Sequence, residues 1–171
     1  MGPGDHASEA ICKTAYALGY QIARQGWVLL TGGRNVGVMD AASQGAVSGG
    51  GLTVGILPGT GPGAGPGIGA DGEAGDLSDS VIIPIFTDMG SGRNNINVLS
   101  SRVVVACGLG PGTASEVALA LKAQKPVVLM QMDALTVSFF RQLGPVSVAD
   151  TAAIAVSHIK KYLAEDEPQP R

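Results

Sequence analysis

Charge of either sign is scarce in this chain of 171 residues: only 15% of the residues are charged, and the net charge is −3 at neutral pH. Proteins that bind nucleic acid normally carry a basic surface for the phosphates, so this composition argues against a nucleic-acid partner. No apolar run approaches the roughly 20 residues that a membrane-spanning helix needs. The start of the chain also lacks the basic and apolar regions of a secretory signal. These absences predict a cytoplasmic protein with no nucleic-acid or membrane partner.

Cysteine and histidine are equally rare, with two of each. Cys12 and Cys107 are far apart in sequence, and free thiols are expected in the absence of an export signal. No group of cysteines and histidines has the spacing of metal ligands, so no metal site is predicted. Cys107 ends an apolar run, which favours a small core residue over a nucleophile.

Short apolar runs alternate with segments of helical periodicity along the whole chain. We predict strands at 27–30, 52–57, 81–86, 103–106 and 127–130. Helices are predicted after Asp5 to about Gln25 and at 38–48, 91–99, 113–122, 136–143 and 151–163. This alternation is typical of an α/β fold with a mostly parallel sheet flanked by helices.

One compact domain is predicted over residues 1–163, followed by a polar tail at 164–171. Within it, the Gly/Pro-rich loop at 58–79 is expected to be either a lid over a site or a disordered insertion. The chain enters its first helix without a preceding strand. Either the sheet begins without that strand, or the chain is shortened at its N-terminus. With such a strand before it, Gly2-Pro3-Gly4 would be a third glycine turn of the same type.

Two glycine-rich turns are the most informative feature of the sequence. Residues 31–37 (TGGRNVG) and 108–113 (GLGPGT) each follow an apolar run and precede a helical segment. A strand, a glycine turn and a helix start together expose backbone N–H groups at the positive end of a helix dipole, which favours a phosphate. The alternative is that the glycines only allow tight turns. The candidate contacts here are Gly32, Gly33, Arg34, Asn35, Gly108, Gly110, Pro111, Gly112 and Thr113.

Polar side chains near these turns complete the candidate site. Arg93 follows Gly90-Ser91-Gly92 at a helix start, where it is placed to clamp an anion. Glu116 is either an acid–base or ligand-binding group, or the partner of Thr113 in a capping box. The asparagines that follow Arg93 either meet the edge of a heterocycle or form a solvated face. These asparagines are Asn94, Asn95 and Asn97.

Two common nucleotide-binding patterns are missing. The chain contains no Gly-x-x-x-x-Gly-Lys-Ser/Thr sequence, which excludes a P-loop nucleotidase. Neither turn has the Gly-x-Gly-x-x-Gly spacing, so the evidence for a dinucleotide site is weak.

The two turns do resemble the signatures of a known group. Residues 31–39 (TGGRNVGVM) and 110–116 (GPGTASE) are similar to the paired motifs of the Rossmann-like lysine decarboxylase-like superfamily. That superfamily includes the LONELY GUY phosphoribohydrolases and the molybdenum cofactor carrier proteins. The phosphoribohydrolases carry Pro-Gly-Gly-x-Gly-Thr-x-x-Glu, in which Gly108 and Leu109 replace the proline and the first glycine. Their Arg-Lys pair is Arg93-Asn94 here, so the chain is closer to the carrier branch.

The resemblance implies a three-layer Rossmann-like fold and a function. A carrier would bind, protect and deliver molybdenum cofactor (molybdopterin), with the phosphate at a helix N-terminus and the pterin against polar groups. It also implies a homodimer or homotetramer and molybdoenzymes as acceptors. In addition to the turn residues, the implied contacts are Ser91, Arg93, Asn94 and Glu116. The alternative is a hydrolase of nucleoside 5′-monophosphates, in which Arg93 and Glu116 would be the catalytic residues.

Overall fold

The computed structural model describes residues 1–61 and 77–165. The helices are α1 (Glu9–Arg24), α2 (Gly37–Ser48), α3 (Arg93–Ser100), α4 (Pro111–Lys122), α5 (Ala134–Leu143) and α6 (Ala152–Glu165). The strands are β1 (Leu29–Thr31), β2 (Thr53–Leu57), β3 (Ile83–Phe86), β4 (Val104–Cys107), β5 (Val127–Met130) and β6 (Ser147–Val148). A 3₁₀ turn at Gly90–Gly92 precedes α3. The loop predicted at 58–79 and the tail predicted at 164–171 fall in large part outside the described residues.

The strands form two parallel three-stranded sheets, in the orders β1-β2-β3 and β4-β5-β6. The predicted α/β fold with a mostly parallel sheet is confirmed. Strand β6 was missed, because a strand of two residues leaves no apolar run in the sequence. Pro84 lies on β3, at the edge of its sheet, where a missing N–H donor does least harm.

Helices cover both faces of the sheets, which gives the predicted three layers. On one face α1, α2 and α6 pack over a core that includes Leu18, Val128 and Met130. On the other face α3, α4 and α5 enclose Val98, Leu129 and Phe140. Neighbouring residues of β5 thus point to opposite cores, as the two-residue period of a strand requires. No helix in the described part of the chain is long and apolar enough to cross a membrane.

The starts of α1, α3, α4 and α5 differ from the prediction by two residues or more, and those of α1 and α4 have clear local reasons. Helix α1 is capped by Ser8, whose Oγ accepts the N–H of Ile11 (3.3 Å), and not by Asp5. Helix α4 begins at Pro111, two residues earlier than expected. Proline suits the first helical position because it has no N–H to leave unpaired there.

The N-terminal residues run along the edge of β4. The Met1 amino group donates to the Val105 carbonyl (2.6 Å), and the Cys107 N–H donates to the Met1 carbonyl (2.8 Å). Further along, the Val38 N–H donates to the Pro3 carbonyl (3.1 Å) at the start of α2. The Gly2-Pro3-Gly4 turn therefore lies between the C-terminal end of β4 and the start of α2, which is where a third glycine turn would lie.

Candidate functional site

The N-terminus of α4 has no side-chain cap among the described residues. Gly110 is its N-cap in an extended conformation, and Gly110 has no side chain with which to cap the helix. Pro111 has no N–H, so Gly112 and Thr113 carry the first N–H groups of the helix, which have no partners within it. These groups and the helix dipole together favour a negatively charged ligand.

Thr113 adds a hydroxyl to this site. Its side chain is only 2% exposed, and its Oγ1 has no hydrogen-bond partner among the described residues. A buried hydroxyl without a partner costs free energy, so such groups are rare unless they serve a ligand. Thr113 is the third residue of the helix, near the N-cap as predicted.

Glu116 does not form the capping box that the sequence left open. Its carboxylate is buried, and Oε1 accepts a hydrogen bond from Asn97 Nδ2 (3.1 Å) on α3. One turn earlier, Asn94 Nδ2 donates to Ser115 Oγ (3.0 Å). The capping-box interpretation was wrong because α3 packs against this side of α4 and offers Glu116 a partner in the other helix.

The asparagines after Arg93 therefore divide between two environments. Asn94 and Asn97 are buried between α3 and α4, which excludes the solvated-face alternative for both. Asn95 alone is exposed. Asn97 Oδ1 is buried without a partner in the described part of the chain. The sequence placed these residues on one helix, but only the packing decided which of them face inward.

Arg93 lies against the first glycine turn. Its guanidinium group is buried, and a Cβ atom at Gly32 would overlap Arg93 Nη1. Only glycine leaves room for this contact. Because α3 also holds α4 through its asparagines, Arg93 links the turn after β1 with the helix that begins after β4. Ser91, in contrast, lies exposed on the 3₁₀ turn.

In the first glycine turn, more of the backbone groups are hydrogen-bonded to other parts of the protein than in the second turn. Gly33 has φ +74° and donates its N–H to Thr31 Oγ1 (3.1 Å), while its carbonyl accepts from the Ser78 N–H (2.9 Å). Arg34 is buried and pairs as a bridge with Leu77. The Val38 N–H at the start of α2 is already taken by Pro3. The start of α2 is thus less available to a ligand than that of α4.

The carboxylate of Asp40 stabilises the first glycine turn, a role that was not predicted from the sequence. Its carboxylate accepts from Ser78 Oγ (2.6 Å) and from Gln44 Nε2 (2.7 Å). With its amide oriented to donate, Asn35 also places its Nδ2 3.2 Å from Asp40 Oδ1. No sequence signal joins Asp40 to Ser78, because 37 residues separate them.

Pro3 packs beside the second glycine turn, and its carbonyl accepts the Val38 N–H that follows the first turn. A Cβ atom at Gly108 would lie 3.3 Å from Pro3 Cδ, and one at Gly110 would lie 3.4 Å from Pro3 Cβ. Gly108 also has φ +76°, a conformation that favours glycine. The structure thus places both predicted turns and the Gly2-Pro3-Gly4 turn at one edge of the fold.

Cys107 is a core residue at this edge, as the sequence favoured. Burial raises the pKa of its thiol to about 11, because a thiolate loses solvation there. We expect iodoacetamide at pH 8 to modify the half-buried Cys12 readily and Cys107 only after unfolding in urea, as measured by peptide mass spectrometry. Equal modification of the two thiols in the folded protein would contradict this assignment.

Comparison with known proteins agrees with the architecture and motifs. The family model of the SLOG cluster4 family matches residues 1–157. The molybdenum cofactor binding protein of Rippkaea orientalis is 50% identical, covers 95% of this chain and 94% of its own, and superposes with a TM-score of 0.86. The molybdenum cofactor carrier protein of Chlamydomonas reinhardtii is 49% identical over 96% of this chain and 95% of its own, with a TM-score of 0.85.

A curated relative without a described function is also similar. An uncharacterized protein of Archaeoglobus fulgidus is 41% identical over 131 residues, which are 77% of each chain. The resemblance carried by the two glycine turns is therefore confirmed over nearly the whole length. The chain belongs to the SLOG cluster4 family.

Proposed function

We propose that this protein binds molybdenum cofactor, protects it and delivers it to an acceptor molybdoenzyme. The observation that carries the proposal is the buried Thr113 hydroxyl at the N-terminus of α4, which has neither a hydrogen-bond partner nor a helix cap beside it in residues 1–61 and 77–165. The likeness to two solved proteins named for binding or carrying this cofactor supports it.

The residues at α4 fit the phosphate end of the cofactor. The N–H groups of Gly112 and Thr113 and the Thr113 hydroxyl would donate to phosphate oxygens, and the helix dipole would favour their charge. Arg93 would add a positive charge beside Gly32. The remaining predicted contacts, Gly33, Arg34, Asn35 and Ser91 among them, stay predictions. When bound, the cofactor supplies a redox-active molybdenum centre, and this chain supplies containment and orientation.

A carrier needs no bond cleavage, and the surroundings of Glu116 are consistent with a protein that uses no general base. A general base must reach the water or proton on which it acts. Here Glu116 is buried and held by Asn97 Nδ2. This favours a structural role for the carboxylate over the hydrolytic role that the resemblance left as an alternative.

The proposal also covers the oligomeric state and the cellular compartment of the protein. Exposed apolar side chains on and beside β3 support a homodimer or homotetramer, since clustered apolar surface usually marks an interface. They are Ile82, Ile83, Ile85 and Met89. The free thiols Cys12 and Cys107 suit the reducing cytoplasm.

A paired assay tests the function. The purified chain is titrated anaerobically with molybdenum cofactor, and separate samples are incubated with AMP and N6-substituted AMP while free base is measured. Micromolar or tighter cofactor binding without base release is expected. Base release that disappears in Glu116→Ala would replace the carrier function with hydrolysis.

A matched pair of threonine variants tests whether the cofactor binds at the N-terminus of α4. Thr113→Val should weaken cofactor binding about 10-fold, the loss of one hydrogen bond to a charged group, and should leave stability equal or slightly higher, because it removes a buried hydroxyl that has no partner among the described residues. Thr53→Val is the control, because Thr53 Oγ1 donates to the Ser80 carbonyl and accepts the Ile82 N–H. It should lower the urea midpoint without changing affinity. Unchanged affinity in Thr113→Val would remove Thr113 from the site.

A further inference from the structure

The two cysteines of the chain lie close together in the fold, although they are far apart in sequence. The Cys107 thiol, at the C-terminal end of β4, donates to the Ile11 carbonyl on α1, with 3.8 Å between Sγ and O. That carbonyl belongs to the peptide group that joins Ile11 to Cys12. Standard bond lengths therefore place Cys107 Sγ within about 7 Å of Cys12 Cα. The two thiols thus belong to one local cluster between α1 and β4.

Cys12 also influences the ionisation of Cys107. Burial has the largest effect and raises the pKa of the Cys107 thiol to about 11. The Met1 amino group lowers this pKa, and the charge of a Cys12 thiolate raises it. Because the Coulomb energy falls with distance, this effect agrees with the proximity that the Ile11 contact indicates.

The two thiols differ in their access to solvent. Cys12 is half-buried on α1, whereas Cys107 is only 1% exposed. A peroxide in solution therefore reaches Cys12 first, and the fold protects Cys107 from direct attack. A sulfenic acid formed on Cys12 would have the Cys107 thiol beside it, and a sulfenic acid condenses with a thiol to a disulfide. Cys12 is thus suited to be the oxidised group and Cys107 to be the resolving thiol.

Both cysteine segments contact the second glycine turn. Gly108 follows Cys107 directly, and a Cβ atom at Gly108 would lie 3.0 Å from Ile11 Cδ1. A bond between Cys12 and Cys107 would draw the end of β4 toward α1, where Ile11 already packs against Gly108. The turn from Gly108 to Gly110, which leads into α4, must then shift.

We propose that Cys12 and Cys107 are a peroxide-sensitive thiol pair that closes to a disulfide and displaces the second glycine turn. First, the Cys12 sulfur attacks one oxygen of hydrogen peroxide, the O–O bond breaks, and Cys12 sulfenic acid and water form. Next, the Cys107 sulfur attacks the Cys12 sulfur, and the sulfenic hydroxyl leaves as water with the Cys107 proton. The two sulfurs lose two electrons, which the peroxide gains. A dithiol reductant restores both thiols by exchange.

Peroxide treatment, tryptic digestion without reduction and mass spectrometry test the disulfide. The expected product joins peptides 1–13 and 103–122, and a dithiol removes it. In Cys107→Ser, dimedone should label the Cys12 sulfenic acid at least about 10-fold more than in the wild type, because resolution by a neighbouring thiol is intramolecular. Equal labelling of the two proteins would overturn the proposal. So would treated wild-type protein that contains only separate cysteine peptides, or a disulfide between the Cys12 residues of two chains.

The effect of the displaced turn on the cofactor rests on the proposed function. Oxidised protein, freed of peroxide, should bind molybdenum cofactor at least about 5-fold more weakly than reduced protein, the lower end of a typical coupling between two sites. Cys12→Ser is the matched control, and the same peroxide treatment should leave its affinity unchanged. Equal affinities of the oxidised and reduced wild type would overturn the displacement of the turn. Absence of binding by the reduced protein would instead overturn the proposed function, and the peptide analysis would still decide the thiol pair.

Discussion

Gly112→Val is expected to abolish measurable cofactor binding, with affinity falling about 100-fold or more, while the protein stays folded. Gly112 is the second residue of α4, and a Cβ atom there would meet nothing within 4 Å. The valine side chain therefore fits the fold and stands in open space beside the N–H groups of Gly112 and Thr113. Blocking two hydrogen bonds to a charged phosphate costs about 3 kcal/mol or more, which gives the expected change.

The measurement is an anaerobic titration with molybdenum cofactor, paired with a urea unfolding curve. Valine has a higher helix propensity than glycine, so the stability of Gly112→Val should be equal or slightly greater. Ala118→Val is the matched control, because it adds the same side chain to an exposed position of α4 away from the N-terminus. Wild-type affinity in Gly112→Val would show that the ligand does not use the start of α4.

Gly19→Val is expected to lower the free energy of unfolding by about 3 kcal/mol, the upper end of the usual cost of overpacking. A Cβ atom at Gly19 would overlap the carbonyl oxygen of Ala42, and one at Gly45 would overlap that of Tyr16. These contacts are reciprocal, so α1 and α2 approach each other backbone to backbone. A side chain at Gly19 has no flexible neighbour to displace, and the helices themselves must separate.

Urea unfolding followed by circular dichroism measures this effect. Ala17→Val is the control, since Ala17 is an exposed residue in the middle of the same helix. Its cost should stay within about 1 kcal/mol, the difference in helix propensity. Helix propensity alone would make Gly19→Val equal or slightly more stable, since valine has a higher propensity than glycine, so an unchanged free energy of unfolding in Gly19→Val would contradict the close helix contact as the source of the cost. Because α2 begins at the first glycine turn, Gly19→Val should also weaken cofactor binding.

The sequence by itself determined the order of the helices and of strands β1 to β5, and the positions of both glycine turns. Apolar runs such as Val127–Met130 have no polar face, and this is the pattern of a strand covered on both sides. The turn residues could also be predicted, because few backbone conformations allow a strand to pass through glycines directly into a helix. These signals depend on neighbours in the chain, so a single sequence contains them.

Only the tertiary structure decided how the site is arranged around those turns. It paired Glu116 with Asn97 in place of a capping box, joined Asp40 to Ser78, and set Arg93 against Gly32. It also left Thr113 Oγ1 buried without a partner in the described part of the chain, while the Pro3 carbonyl accepts the Val38 N–H at the start of α2. Each of these results depends on which helix faces which across the fold. A periodic pattern in one segment fixes the face that a helix buries, but the partner on that face comes from packing between distant segments.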